Sequence, residues 1–159
     1  MGGLKFIRNK GQRLRELSGR EWALLGAAVV LLPVTAIGLR LLGLQRYQAW
    51  MTRWARRRRG TAGHTEIAAK EAARMVAVAA RYGLLGKTCL PQALVLSFLL
   101  QRMGLNGDLR IGVRQEGDEL KAHAWIERQG QALNDSADVH ERFAAFAVPI
   151  CPALGGAGQ

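Results

Sequence analysis

The sequence predicts an α+β fold in which helices pack on a small antiparallel sheet, preceded by an N-terminal helical region. Three observations carry this. Apolar residues recur at helical spacing as far as Met103. The period then switches to alternation in DLRIGVRQ and again in LKAHAWIER. Glycines punctuate the changes, at Gly83, Gly104, Gly117 and Gly130. At 159 residues and 49% hydrophobic, the chain can bury one modest core.

Three regions follow: a basic, apolar helical region (1–60), a main domain (61–148) and a tail (149–159). The net charge of +11 falls wholly in the first, where 13 Lys+Arg face Glu16 and Glu21. Residues 61–159 carry 10 basic and 10 acidic side chains and are neutral. The basic third suits an acidic peptide, anionic lipid or nucleic acid. The main domain has few aromatics to stack bases, so nucleic acid is not expected as a partner.

Ser18-Gly19-Arg20-Glu21 fits a capping box opening a helix. The run 22–39 that follows has no charge, and Pro33 should kink it. Its length is borderline for a membrane span. Three readings stay open for it: a buried or partner-facing helical hairpin, a membrane-associated segment, or a signal segment. YQAWMTRWARRRR (47–59) interleaves Trp with Arg, which suits a membrane surface or an acidic partner, or packing of the rings on the main domain.

RGTAGHT marks the boundary between the regions. Thr65 then caps a helix to Tyr82, with Ile67, Met75, Val78, Ala79 and Tyr82 as its apolar stripe and Gly83 after it. A second helix runs from Cys89 to Met103, with Pro91 in its first turn and Gly104 ending it. In the first strand Leu109, Ile111 and Val113 alternate with Arg110, Gly112 and Arg114. In the next, Leu120, Ala122, Ala124 and Ile126 face one way, and Lys121, His123, Trp125 and Glu127 the other. A turn at Gln129-Gly130 leads into QALND, giving a meander of two or three strands. VHERFAAF should lay Val139, Phe143 and Phe146 over the sheet, with His140 on a short helix.

Gly86-Lys87-Thr88 resembles the end of a phosphate-binding loop, but the glycine required five residues earlier is Arg81, and the preceding segment is helical. Two cysteines without a CxxC pair, and three dispersed histidines, point away from a disulfide framework or a metal site. No cofactor is called for, and a reduced, cytoplasmic setting is expected, with contact at the inner face of the cell membrane open to the basic third. His64 lies in the glycine-rich linker, and Cys151 reads as a tail or packing residue.

Cys89, His123 and Asp135 form the constellation with chemistry. A thiol in a helix's first turn faces unpaired N–H groups and the positive end of the dipole, which favour thiolate and can also hold an oxyanion. A strand histidine at fixed depth can take the thiol proton. A carboxylate on the neighbouring strand can accept the other ring N–H and fix the tautomer. Each residue alone also has a plain structural reading: a core cysteine, a hydrogen-bonded histidine, a turn aspartate.

CLPQALVLSFLLQRMGLNGDLRIGV followed by KAHAWIERQGQALND resembles the lasso-peptide maturation cysteine proteases, the leader-peptidase B proteins, over residues 65–147. These are similar in core fold to transglutaminases and papain-like proteases. The resemblance implies removal of the leader from a ribosomally made precursor before a separate ATP-dependent macrolactam cyclase acts. Cys89 would be nucleophile, His123 base and then acid, and Asp135 the orienting carboxylate. Trp125 and Glu127 would shape the cleft, and Gly112 would leave room for substrate. Some family members carry a winged-helix leader-recognition domain. Residues 1–60 offer no strands for one, so a separate recognition protein is expected. No glutamine lies between Gly83 and Thr88 to act as an oxyanion donor, and that donor is unassigned. The same triad would also support acyl transfer to an amine, or deamidation. A non-catalytic membrane-associated adaptor is the reading from outside enzymology.

Overall fold

A computed structural model describes residues 17–57, 66–83 and 88–146. Expectations placed on Thr65, the linker with His64, the Gly86-Lys87 turn, Cys151 and the tail lie outside these residues.

Helix α1 (Gly19–Arg57) opens with the expected capping box. The Ser18 N–H donates to Glu21 Oε2 at 2.8 Å and the Glu21 N–H donates to Ser18 Oγ at 3.3 Å, so two otherwise unpaired donors are satisfied reciprocally. Glu21 also pairs with Arg74 of the next helix. The break in α1 falls at Gly43, not at Pro33 as its chemistry suggested. Gly43 has φ 73° and ψ 168°, a region essentially reserved for glycine, while helical dihedrals run on through Pro33.

The break folds α1 into a hairpin. Twelve residues of straight helix would separate Thr35 from Tyr47 by about 18 Å. Instead the Tyr47 hydroxyl lies 3.1 Å from Thr35 Oγ1, both side chains buried. The Tyr47 ring also covers Gly38, where a Cβ would come within 2.2 Å of it. One stripe of the first arm (Leu24, Ala28, Leu32, Thr35) and one of the second (Tyr47, Met51, Ala55) are buried against the rest of the chain. Trp50 and Trp54 stack in series from Tyr47 to Phe98, so these rings do pack on the main domain.

Helix α2 (Glu66–Tyr82) ends where expected and buries the middle of the expected stripe, Met75 and Ala79 with Val78 partly covered, but not its two ends. Ile67 and Tyr82 are exposed, and Ala68, Ala69, Ala72, Ala73, Met75, Val76, Ala79 and Ala80 are inside. An alanine face lets helices approach closely, and that packing outweighs the larger but offset Ile67. Helix α3 (Cys89–Arg102) is buried from Ala93 to Leu100 and forms the centre of the core. It ends in a Schellman motif: Leu105 N–H to Leu100 O at 2.9 Å, Gly104 N–H to Gln101 O at 3.1 Å, and Gly104 at φ 75°.

Strands β1 (Asp108–Glu116) and β2 (Glu119–Arg128) pair antiparallel, with Gly112 opposite His123. A two-residue turn with φ 51° at Gln129 and 76° at Gly130 leads to β3 (Gln131–Ala132). After helix α4 (Val139–Arg142), β4 (Ala144–Ala145) pairs the free edge of β1, giving the order β3-β2-β1-β4. The alternation read from the sequence holds in the inner halves of the strands, while Leu120 and Ala122 of the same face are exposed. Leu109, Ile111, Ala124 and Ile126 join the helices in the main core. Trp125 meets Val139 and Phe143 in a smaller cluster on the other face. Phe146, expected over the sheet, is exposed.

Candidate active site

His123 and Asp135 meet because the chain keeps running beside β2 after β3 ends. The last ladder pair is Glu127 with Ala132. The Leu133 N–H then donates to Ile126 O at 2.9 Å, and the Asn134 side chain accepts from the Ile126 N–H at 2.7 Å. An asparagine side chain thus replaces a strand partner and carries residue 135 back along β2 to the level of His123. Asp135 therefore does not end a strand, as expected, but stands three residues beyond it in a bend.

His123 Nε2 is paired with Asp135 Oδ2. An ionised carboxylate can only accept, so Nε2 carries the N–H of this pair, and Nδ1, which has no hydrogen-bond partner among the described residues, is the ring nitrogen left for a second proton. The other carboxylate oxygen, Oδ1, accepts from the Ser136 N–H at 2.7 Å and from Arg142 Nη2 at 2.6 Å. Burial works to raise the Asp135 carboxyl. The Ser136 N–H and His123 outweigh it and hold the group below its ordinary range, ionised at neutral pH. The Phe143 ring stacks on the imidazole with centroids 4.9 Å apart, and Trp125 lies beyond at 6.1 Å.

Cys89 opens α3, half-buried and packed against the main core, with its thiol in the free form. Thr88 stands at the N-cap position but its side chain makes no capping hydrogen bond, so it occupies none of the first-turn N–H groups. Helix α3 packs on β2, the strand that bears His123. The structure thus joins His123 to Asp135 directly. Cys89 makes no hydrogen bond to either among the described residues.

The residues expected to line a cleft are otherwise engaged. Trp125 is fully buried under Val139 and Phe143. Glu127 lies 3.4 Å from Arg110 Nε and 3.8 Å from His140 Nε2. The space at Gly112 is taken by the protein itself, since a Cβ there would lie 3.0 Å from Phe143 Cβ and from the Trp125 ring. Sequence reasoning missed Arg142 altogether, and it placed Phe143 over the sheet and Asn134 in the L-N-D run without giving either a part in the site. The only signal for the first two was their place in a short apolar-basic segment following Asp135.

A model of the transglutaminase-like superfamily matches residues 28–148. No curated protein gives a match, and no solved structure does.

Proposed function

Because the chain belongs to the transglutaminase-like superfamily, whose members are in general cysteine-based catalysts, we propose that it is a cysteine peptidase that removes the leader from a lasso-peptide precursor. The observation that carries the catalytic half of this reading is the His123–Asp135 pair, with Nε2 committed to the carboxylate and Nδ1 left over. The finer assignment rests on the Cys-Leu-Pro helix, the R-I-G-V strand, H-A-W-I-E and L-N-D in order along the sequence.

The reaction runs in two halves. His123 Nδ1 takes the Cys89 proton, and the thiolate attacks the scissile carbonyl carbon. First-turn N–H groups of α3 hold the developing oxyanion. Collapse breaks the C–N bond, the imidazolium protonates the departing amine, and the leader stays on sulfur as a thioester. His123 then deprotonates a water that attacks the thioester, releasing the leader as a carboxylic acid and restoring the thiol. Asp135 stays ionised throughout and stabilises the imidazolium. The amine released is the group that a separate ATP-dependent cyclase would close into a macrolactam, and a separate recognition protein would present the leader.

The test is Cys89→Ala in cells that make the precursor. Uncleaved precursor should accumulate, and processing at the wild-type level would reject the proposal. Product masses decide the reaction type, because hydrolysis shortens the peptide whereas amine transfer or deamidation does not.

A further inference from the structure

The first arm of α1 is apolar on both sides. Its inner stripe is buried, and its outer one presents Val30, Val34, Ile37 and Leu41, with Val30 62% and Leu41 78% exposed. The second arm extends this surface. Trp50 shares a groove with Val34, Ile37 and Leu42, and Trp54 shares another, of about 660 Å³, with Val30 and Leu31. Both tryptophans remain about half exposed although they stack on neighbours. A helix that is apolar all round calls for a covering on every side.

The charges select what covers it. Arg20 stands at one end of the strip, Arg40 and Arg46 at the turn, and Arg53 on the second arm, all exposed. The one acid between residues 17 and 57 is Glu21, which is turned inward onto Arg74. A second copy would bring arginines against arginines. A membrane-spanning pose would drag α2, which packs on this arm, into hydrocarbon with its exposed Lys70 and Arg74. An anionic bilayer surface satisfies both features: it takes the apolar strip to acyl depth, seats tryptophans at the headgroup boundary and neutralises the arginines.

We propose that the outer face of the α1 hairpin docks in the plane of an anionic lipid surface, holding the main domain against the membrane. This inference does not rest on the peptidase reading, and Cys89→Ala should bind lipid as the wild type does.

The experiment is co-sedimentation of the full chain with phosphatidylglycerol-rich vesicles and with pure phosphatidylcholine vesicles, at low and high salt. The expected result is binding to the anionic vesicles, a blue shift of tryptophan emission, and weakening by salt. Val34→Asp with Ile37→Asp should weaken binding about tenfold or more. Arg46→Gln with Arg53→Gln, two exposed positions that leave the core untouched, should weaken binding to the anionic vesicles about tenfold and leave binding to phosphatidylcholine unchanged. Failure to sediment with anionic vesicles, equal binding to both vesicle types, or a dimer dissolved by the Val34/Ile37 substitutions would each overturn the proposal.

Discussion

Arg142 holds the carboxylate that holds His123. Its Nη2 lies 2.6 Å from Asp135 Oδ1 and 2.8 Å from Ser136 Oγ, while its Nε reaches Asp138 Oδ2 at 3.1 Å. A planar guanidinium aims Nη2 at both oxygens from a fixed direction, which a lysine cannot do, while Nε meets Asp138 only as an ion pair. Arg142 is therefore a positioning residue. Arg142→Gln is expected to lower kcat for precursor cleavage about tenfold, roughly 1.4 kcal/mol of transition-state stabilisation, with KM little changed. Arg142→Lys should restore only part of it. Unchanged kcat in Arg142→Gln would show a merely structural contact. The pairing of His123 with Asp135 was legible in the sequence because each is a reactive residue type on neighbouring segments, and Cys89 was proposed beside them for its place at a helix start. Arg142 was not legible, because an arginine in a four-residue helix has no period, and its partner is set only when Asn134 turns the chain back along β2. Gly112 was misread for a related reason. A glycine in a strand signals a close approach, but the sequence does not say whether ligand or protein makes it.

At the scale of elements, the α1 hairpin depends on one backbone conformation. Gly43→Ala forces a side chain into a glycine-only region and should cost about 1–3 kcal/mol. Tyr47→Phe removes the buried bond to Thr35 and should cost about 1 kcal/mol. Urea denaturation measures both, and a Gly43→Ala midpoint equal to wild type would contradict the hairpin. Pro33 is the louder sequence signal for a break, yet the chain turns where Tyr47 must fold back onto Gly38, a tertiary demand invisible to local propensity. The same lesson holds for the ends of α2, where Ile67 and Tyr82 were expected inside with Met75 and Ala79 but close packing of alanines buries the face beside them. Elements whose ends carry their own chemistry were read correctly: the Ser18–Glu21 box, the Gly104 cap and the Gln129-Gly130 turn. Strand β4, two residues long, had too little pattern to find.

On the scale of the whole molecule, charge and stability are linked through carboxylates held below their usual range, Glu21, Glu116, Asp135 and Asp138 among the described residues, of which Asp135 and Glu21 join separate elements. Asp135 is held below its usual range by the Ser136 N–H and His123, against the effect of burial. Glu21 is held down chiefly by the Ser18 N–H, with Arg74 assisting. A group whose folded value is depressed stabilises the fold above its unfolded value, and the contribution is lost as pH falls through the folded value. Stability should therefore decline on the acid side, from about pH 4 downwards. Asp135→Asn and Glu21→Gln should each flatten that decline in a series of Tm against pH, and parallel curves would contradict the assignment. The family match from residue 28 and the shared core show that α1 is built into the transglutaminase-like fold.

The central claim is that the imidazole of His123 activates the sulfur of Cys89, and it can be tested without knowing the peptide. The measurement is the rate of alkylation of Cys89 by iodoacetamide at neutral pH in a Cys151→Ser background, with His123 and Asp135 intact, with His123→Ala and with Asp135→Asn, followed by intact-protein mass spectrometry. The expected rate falls by about one to two orders of magnitude in His123→Ala and by less in Asp135→Asn. Equal rates in all three folded proteins would mean that the thiol and the imidazole do not act together.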